Sequence, residues 1–276
     1  MQSDVLSIER DGHVATLWLD RPEQHNAMGP SFWADLPGAM AELDQDPAVR
    51  VVVLAARGRH FTAGLDLAAM AGDLIGDLSG NEESSSPAAR AAAFLRAVGR
   101  LQQAITSVER CAKPVIAAVH GACIGGGVDL ITACDIRLCS ANATFSVRET
   151  RLAMVADVGT LQRLPRIVGR GHAAELALTG RDIGAERARA IGLVNDVLAD
   201  VHALHAAAAA LAGEIAANPP LAVQGTKHVL RVCEDRSIDE GLDYVAVWNA
   251  AFLRSDDLTE AMAAFFQKRP PRFTGS

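Results

Sequence analysis

Residues 114–160 constrain this chain more than any other stretch, because a buried strand, a glycine-rich turn and the start of a helix follow one another there. The β-branched run at 114–119 is typical of a buried strand. Gly121 and residues 125–127 form the turn, and an apolar segment compatible with a helix opens at Val128. Backbone N–H groups in such a turn, at the positive end of a helix dipole, can face a ligand.

Three carboxylates follow this turn, each among apolar or small neighbours rather than in a run of charges: Asp129, Glu149 and Asp157. Apolar surroundings raise the pKa of a carboxyl group, which then exchanges protons more readily near neutral pH. Backbone donors combined with sparse acids therefore indicate carbonyl chemistry with proton transfer.

Each acid also has a structural interpretation that the sequence leaves open. Asp129 could be an acid stabilised by the dipole at the start of a helix. Glu149 could form a surface ion pair with Arg148 or Arg151. Asp157 could be the N-cap of the helix that follows it.

Composition excludes several classes of protein. The chain has 276 residues and a net charge of −7, with 26 basic and 33 acidic residues and no long basic stripe, so no nucleic acid partner is expected. Five cysteines form no C-x-x-C pair, which favours free thiols and no metal site. The start of the sequence lacks the apolar region of a signal peptide, and no apolar run has transmembrane length. We therefore expect no membrane partner and a cytoplasmic location.

Strand-like and helical segments alternate through the first two thirds of the chain, which predicts an α/β fold. A strand-like segment at 192–196 is followed by Ala-rich helical sequence. We expect a core domain at 1–198 and a helical oligomerisation region at 199–276. Residues 72–88 are rich in Gly, Ser and acids and predict a surface loop or a lid over the pocket.

Two motifs carry a resemblance to a known family. HFTAGLDL at 60–67 and HGACIGGGVDLITACDIRL at 120–138 resemble the crotonase (enoyl-CoA hydratase/isomerase) superfamily. The resemblance implies an α/β fold, the crotonase (ClpP-like) spiral of ββα units, with a C-terminal helical trimerisation region. It also implies an acyl-CoA thioester as substrate, with no cofactor besides the coenzyme A of the substrate itself, and a homotrimer or a hexamer built as a dimer of trimers.

The same resemblance implies an oxyanion hole made by the backbone N–H groups of Ala63 and Gly126. Removing a proton next to a thioester carbonyl produces an enolate, and two fixed N–H donors stabilise its charge. The residues expected to bind substrate are Ala63, Gly64, Leu65, Asp66 and Gly126, with the Asp66 side chain in a structural role.

The spacing of the acids, twenty residues and then eight, together with the run ADVGTLQRLP, resembles dienoyl-CoA isomerases. Moving a 3,5-diene to a 2,4-diene, a reaction of fatty acid β-oxidation, removes a proton from C2 and adds one at C6. By resemblance Glu149 and Asp157 are the acid/base pair and Asp129 is a supporting acid. Two alternatives remain: an enoyl-CoA hydratase, with Asp129 and Glu149 holding one water, and a non-catalytic acyl-CoA-binding protein.

Three further residues near the glycine turn are expected to be structural. Asp135 and Arg137 follow the helix as a predicted buried ion pair. His120 is predicted to be a hydrogen-bonded histidine of the core.

Overall fold

The protein is described here by a computed structural model, which covers residues 3–71 and 86–276. The strands are β1 Leu6–Asp11, β2 Val14–Leu19, β3 Val51–Ala56, β4 Val115–Val119, β5 Ala122–Ile124, β6 Ile136–Ser140, β7 Thr144–Ser146, β8 Ile183–Gly184 and β9 Asp196–Leu198. The helices are α1 Pro30–Gln45, α2 Pro87–Arg110, α3 Gly126–Thr132, α4 Thr160–Val168, α5 Arg170–Thr179, α6 Ala185–Ala190, α7 Val201–Ala216, α8 Pro220–Cys233, α9 Ile238–Phe252 and α10 Asp256–Gln267. Short 3₁₀ helices cover Pro22–Gln24 and Glu149–Leu152.

The main sheet has the strand order β1-β2-β3-β4-β6-β9. The hairpin of β1 and β2 is antiparallel, and every later pairing in this sheet is parallel. All residues of β3 and β4 are buried, as expected for central strands that are covered on both faces. The predicted α/β fold is confirmed.

Helix α7 covers one face of this sheet through residues four apart. Leu204, Ala208, Ala212 and Ala216 are buried against a cluster that includes Ile116 of β4. Small alanine side chains on that face allow the helix to lie close to the strands. Helix α7 thus packs on the core although it lies beyond residue 198, and the division of the chain at that residue remains a prediction.

Two local predictions fare differently. The strand expected at 192–196 begins only at Asp196, because residues 192–195 form a turn in which Gly192 has φ +79°. Of the expected surface loop or lid at 72–88, residues 72–85 lie outside the described part of the chain. Ser86 is the N-cap of α2, and its hydroxyl accepts the Ala89 N–H.

No single described helix is long and apolar enough to cross a membrane; α7 and α8, which meet at 106°, would pass that test only as a bent pair, by length and composition.

The second sheet has the strand order β5-β7-β8, and its strand β5 leads directly into the glycine turn. Strand β5 ends at Ile124, one residue before Gly125, and helix α3 begins at Gly126. An isolated bridge between Thr62 and Cys123 joins β5 to the loop that follows β3. The two sequence motifs are therefore neighbours in space.

Candidate active site

Backbone hydrogen bonds join the loop at 60–67 to β5. The Thr62 N–H donates to the Ala122 carbonyl at 2.9 Å, and the Ile124 N–H donates to the Thr62 carbonyl at 3.2 Å. Gly64 then crosses the chain so closely that an added Cβ would lie 2.6 Å from the Ile124 carbonyl oxygen. Its φ of +89° adds a second reason for glycine at this position.

Gly126 provides one unpaired backbone donor at this crossing. It is the first residue of α3, so its N–H has no acceptor within the helix. No hydrogen bond is made by this group within residues 3–71 and 86–276. The N–H therefore remains available to a ligand, as the sequence predicted.

The second predicted donor, Ala63, is not available. Its N–H donates to the His25 carbonyl at 2.9 Å. The N–H of Leu65, two residues further along the loop, has no partner in the described residues. The assignment of Ala63 is corrected, because a group already bonded within the protein cannot also stabilise an oxyanion.

The orientation of Leu65 follows from its pairing with Met28. The Met28 N–H donates to the Gly64 carbonyl at 2.8 Å, and the Asp66 N–H donates to the Met28 carbonyl at 3.1 Å. In such a parallel bridge the residues on either side of Leu65 make the hydrogen bonds, so the Leu65 N–H faces away from Met28.

Asn26 anchors the loop at 60–67 through hydrogen bonds, and it was not identified from the sequence. Its side chain is 5% exposed, accepts the Arg21 N–H, and donates to the carbonyls of Arg57 and His60 at 2.9 Å each. The Thr62 hydroxyl donates to the Asn26 carbonyl at 2.7 Å. The polar turn that contains Asn26 was the available signal.

Asp66 has the structural role that its side chain was expected to have. One carboxylate oxygen accepts the Ala69 N–H at 3.0 Å, and the other pairs with Arg21 at 3.4 Å. The carboxylate therefore secures the loop beyond Leu65.

Asp129 is fully buried one turn into α3. Its Oδ1 accepts the Thr160 N–H at 2.5 Å, whereas its Oδ2 has no partner in the described residues. Burial raises the pKa of this carboxyl to about 6. Asp129 is thus tied to the start of α4, three residues after Asp157.

Glu149 lies against the glycine turn. Its Oε1 is 3.2 Å from the point where a Cβ on Gly125 would sit, and its buried Oε2 has no partner in the described residues. Burial is the main cause that raises the pKa of Glu149 to about 7, and the charges of Asp129 and Asp157 act in the same direction.

The ion pair that was the alternative for Glu149 does not form. Arg148 pairs with Asp182 and donates to the Ser146 hydroxyl, and Arg151 donates to the Thr179 carbonyl at 3.3 Å. Both guanidinium groups are thus engaged with partners other than Glu149.

Asp157 lies on the irregular segment before α4 and is exposed. The N-cap of α4 is Gly159, with no side-chain capping bond, so Asp157 is not the helix cap that was its alternative. Partial burial raises its pKa. The three acids are close enough for the charges of Asp129 and Asp157 to raise the pKa of Glu149.

The predicted pair of Asp135 and Arg137 is wrong. Arg137 donates to the carbonyls of Leu193 and Cys134, whereas Asp135 pairs with Lys227 at 2.7 Å. His120 has a hydrogen-bond partner at one of its two ring nitrogens. Its Nε2 contacts the Gly58 carbonyl at 3.0 Å, whereas its buried Nδ1 has no partner in the described residues.

The raised pKa of Glu149 predicts how stability depends on pH. Because the folded state binds this proton more tightly than the unfolded state, stability from Glu149 is present below about pH 4.5 and is lost as the pH rises through about 7. Glu149→Gln cannot ionise at this position. Its unfolding free energy relative to that of the wild type should therefore increase by about 2–3 kcal/mol between pH 4.5 and pH 8, since each unit of pKa shift corresponds to roughly 1.4 kcal/mol. Urea unfolding at both pH values measures this difference.

Glu214→Gln is the control, because this exposed carboxylate on α7 should give a difference that is flat with pH. A flat difference for Glu149→Gln as well would contradict the buried, proton-holding Glu149.

Comparisons with known proteins agree with this geometry. The family model for enoyl-CoA hydratase/isomerase matches residues 9–276. A relative named peroxisomal Δ3,5-Δ2,4-dienoyl-CoA isomerase from Arabidopsis thaliana is 47% identical over 270 residues, covering 98% of this chain and 96% of the relative. The mitochondrial protein of that name from Dictyostelium discoideum is 47% identical over 260 residues, covering 94% and 87%.

A solved structure of enoyl-CoA hydratase from Bacillus anthracis aligns with a TM-score of 0.88 at 31% identity, covering 99% of this chain and all of the other. The cytoplasmic location expected from the sequence is contradicted, because the relatives' names place them in peroxisomes or mitochondria. That expectation was only a default in the absence of a recognised address. With a family match over residues 9–276, relatives 47% identical over nearly its whole length and the same fold as a solved member, the chain belongs to the enoyl-CoA hydratase/isomerase family.

Proposed function

We infer that this enzyme converts a 3,5-dienoyl-CoA into a 2,4-dienoyl-CoA in fatty acid β-oxidation. The observation that carries this function is the third acid, Asp157, which lies beside Asp129 and Glu149 without serving as a helix cap. Relatives 47% identical to the chain are named for the same isomerisation.

The thioester oxygen would sit between the N–H groups of Leu65 and Gly126. Both are unpaired in the described residues and flank the close crossing at Gly64. When C2 loses a proton, negative charge develops on this oxygen, and two fixed donors stabilise it by about 3 kcal/mol each.

Glu149 is the group best placed for the proton at C2. It lies against Gly125, the residue that precedes the Gly126 donor, and so stands next to the carbon adjoining the bound carbonyl. A pKa of about 7 allows this carboxyl both to accept and to release a proton near neutral pH.

Asp157 would exchange the proton at C6. This carbon is four bonds from C2, so one carboxylate can hardly reach both. Asp129 supports the pair: its Oδ1 fixes the start of α4, and its charge raises the pKa of Glu149.

Hydration of an enoyl-CoA on the same scaffold is the alternative, and similar structures carry that name. It requires Asp129 and Glu149 to hold one water and gives Asp157 no task. Asp129 and Glu149 each have a buried oxygen without a partner in the described residues, and burying such groups costs stability. A non-catalytic acyl-CoA-binding role would give these oxygens no function that offsets this cost.

The proposal extends to a homotrimer or a dimer of trimers. Large apolar side chains of α9 and α10 are exposed in the single chain, including Ile238 at 82%, Val247 at 70% and Phe265 at 77%. Apolar surface of this extent marks an interaction site, and a symmetric contact between copies of the chain would bury it.

Replacing single backbone amides by esters tests the two oxyanion donors. The corresponding hydroxy acid at position 65 or 126 removes the N–H and keeps the side chain, and kcat for dienoyl-CoA should fall about 100- to 1,000-fold. The matched change at Ala63 removes the bond to His25 and, like each of these esters, weakens the preceding carbonyl as an acceptor; it should cost about 1 kcal/mol of unfolding free energy and leave kcat close to wild type. Loss of turnover at position 63 but not at 65 would restore the Ala63 assignment.

Asp157→Asn separates the isomerase from the hydratase. The variant keeps the shape of the side chain and loses the titrating group, so isomerisation should fall about 100- to 10,000-fold. Deuterium uptake at C2 from heavy water should persist, because Glu149 and both donors remain, whereas Glu149→Gln should suppress both processes. Isomerisation at the wild-type rate in Asp157→Asn would move the hydratase to first place.

The assembly is tested by light scattering at micromolar concentration. We expect the mass of three or six chains, and Phe265→Asp together with Phe266→Asp should shift it towards one chain, since both rings are more than 70% exposed. Leu178→Asp, at a position 76% exposed on α5, is the control and should leave the mass unchanged. A monomeric wild type would rule the proposal out.

A further inference from the structure

Asp157 is carried by a segment with little hydrogen bonding of its own. Residues 153–159 connect the 3₁₀ helix to α4, with φ +57° at Ala153 and +131° at Gly159. Within the described residues, the backbone of 155–158 makes two hydrogen bonds. The Gln102 amide donates to the Asp157 carbonyl at 2.7 Å, and Arg163 donates to the Val158 carbonyl at 3.4 Å.

One face of helix α2 carries Gln102 and also binds Arg163 of α4. Gln102, Thr106 and Glu109 are four and three residues apart, so they lie along the same side of the helix. The Arg163 guanidinium donates to the Thr106 hydroxyl at 3.1 Å and to the Glu109 carboxylate at 2.7 Å. Helix α2 therefore holds the Asp157 segment at two consecutive carbonyls, directly through Gln102 and indirectly through Arg163.

This attachment determines where the Asp157 carboxyl points. Ala156 and Val158 are buried, whereas Val155 and Asp157 are exposed, so successive side chains alternate between the core and the open side. The Asp157 carboxylate interacts with its own backbone N–H and has no hydrogen bond to another described residue, unlike Asp129, whose Oδ1 is fixed by Thr160. The orientation of the Asp157 side chain therefore depends on its own backbone, which Gln102 binds.

We propose that Gln102 is a positioning residue for Asp157, one that sets the proton transfer at C6 without affecting the transfer at C2. This role rests on the proposed isomerase function. A displacement of about 1 Å at a reacting group lowers rates by about 100-fold, and the loss of the clamping bond permits a displacement of this kind. Glu149 and the oxyanion donors lie on other elements, and within the described residues none of them is hydrogen-bonded to Gln102.

The test compares Gln102→Met with Gln103→Met. Methionine keeps the length of the side chain and removes the amide donor, and Gln103 is the same residue type one position along, exposed and without a hydrogen bond in the described residues. Gln102→Met should lower kcat for 3,5-dienoyl-CoA by about 10- to 100-fold. Its KM and its deuterium uptake at C2 should stay within about twofold of wild type. Gln103→Met should match wild type in all three.

The ratio of isomerisation to C2 exchange is the quantity that a merely structural role would not move. Equal falls in both activities, or equal behaviour of the two methionine variants, would overturn the proposal. Since Gln102 is exposed, thermal melts should show both variants folded, and Gln102→Asn, whose shorter amide cannot reach the carbonyl, should reproduce the effect in any case.

The two proposals fail in different ways. A normal rate in Gln102→Met beside an impaired Asp157→Asn removes only the role of Gln102. A normal rate in Asp157→Asn removes the role of Asp157, and that of Gln102 with it.

Discussion

The short backbone contact between Thr62 and β5 is the constraint on which the site depends. It aligns two loops that are separated by about sixty residues of chain, and it forces Gly64 within contact of the Ile124 carbonyl. Any side chain at Gly64 would push the loops apart, and the two free N–H groups would no longer face one point. A pair of donors binds an oxyanion well only when both are fixed before the charge appears, because no energy is then spent on turning them.

The same arrangement explains why carboxylic acids are placed where water is scarce. Buried carboxylate oxygens without partners are unfavourable for folding, and Asp129 and Glu149 each have one. The resulting pKa values, about 6 and about 7, keep a proton within reach at neutral pH. The carboxyl groups whose proton affinity the chemistry uses therefore lower the stability of the folded protein, as is common in active sites.

Periodicity and glycine patterns predicted most of the fold, because the strands and helices of the core have sequence patterns that can be recognised locally. The strand predicted at 114–119 is observed at Val115–Val119, and the helix predicted to open at Val128 begins at Gly126. The errors concern partners that are distant in sequence. Ala63 could not be excluded as a donor without knowing that His25 takes its N–H, and Asp135 pairs with Lys227, 92 residues away, rather than with nearby Arg137. The three acids were selected from their apolar setting and the family resemblance. The residues that hold the site, Asn26 at the loop at 60–67 and Gln102 at Asp157, carry no local signal of that task.

The hydrogen bond from Thr160 makes the two oxygens of Asp129 unequal. With Oδ1 occupied as an acceptor, a proton on this carboxyl has to reside on Oδ2, the atom without a partner. Ionisation therefore changes that one atom from a hydrogen-bond donor to an acceptor, at a fixed place and in a fixed direction. Burial raises the pKa of this carboxyl to about 6, which brings its ionisation towards neutral pH. Asp129 can thus reverse the polarity of a hydrogen bond inside the pocket while its position stays the same.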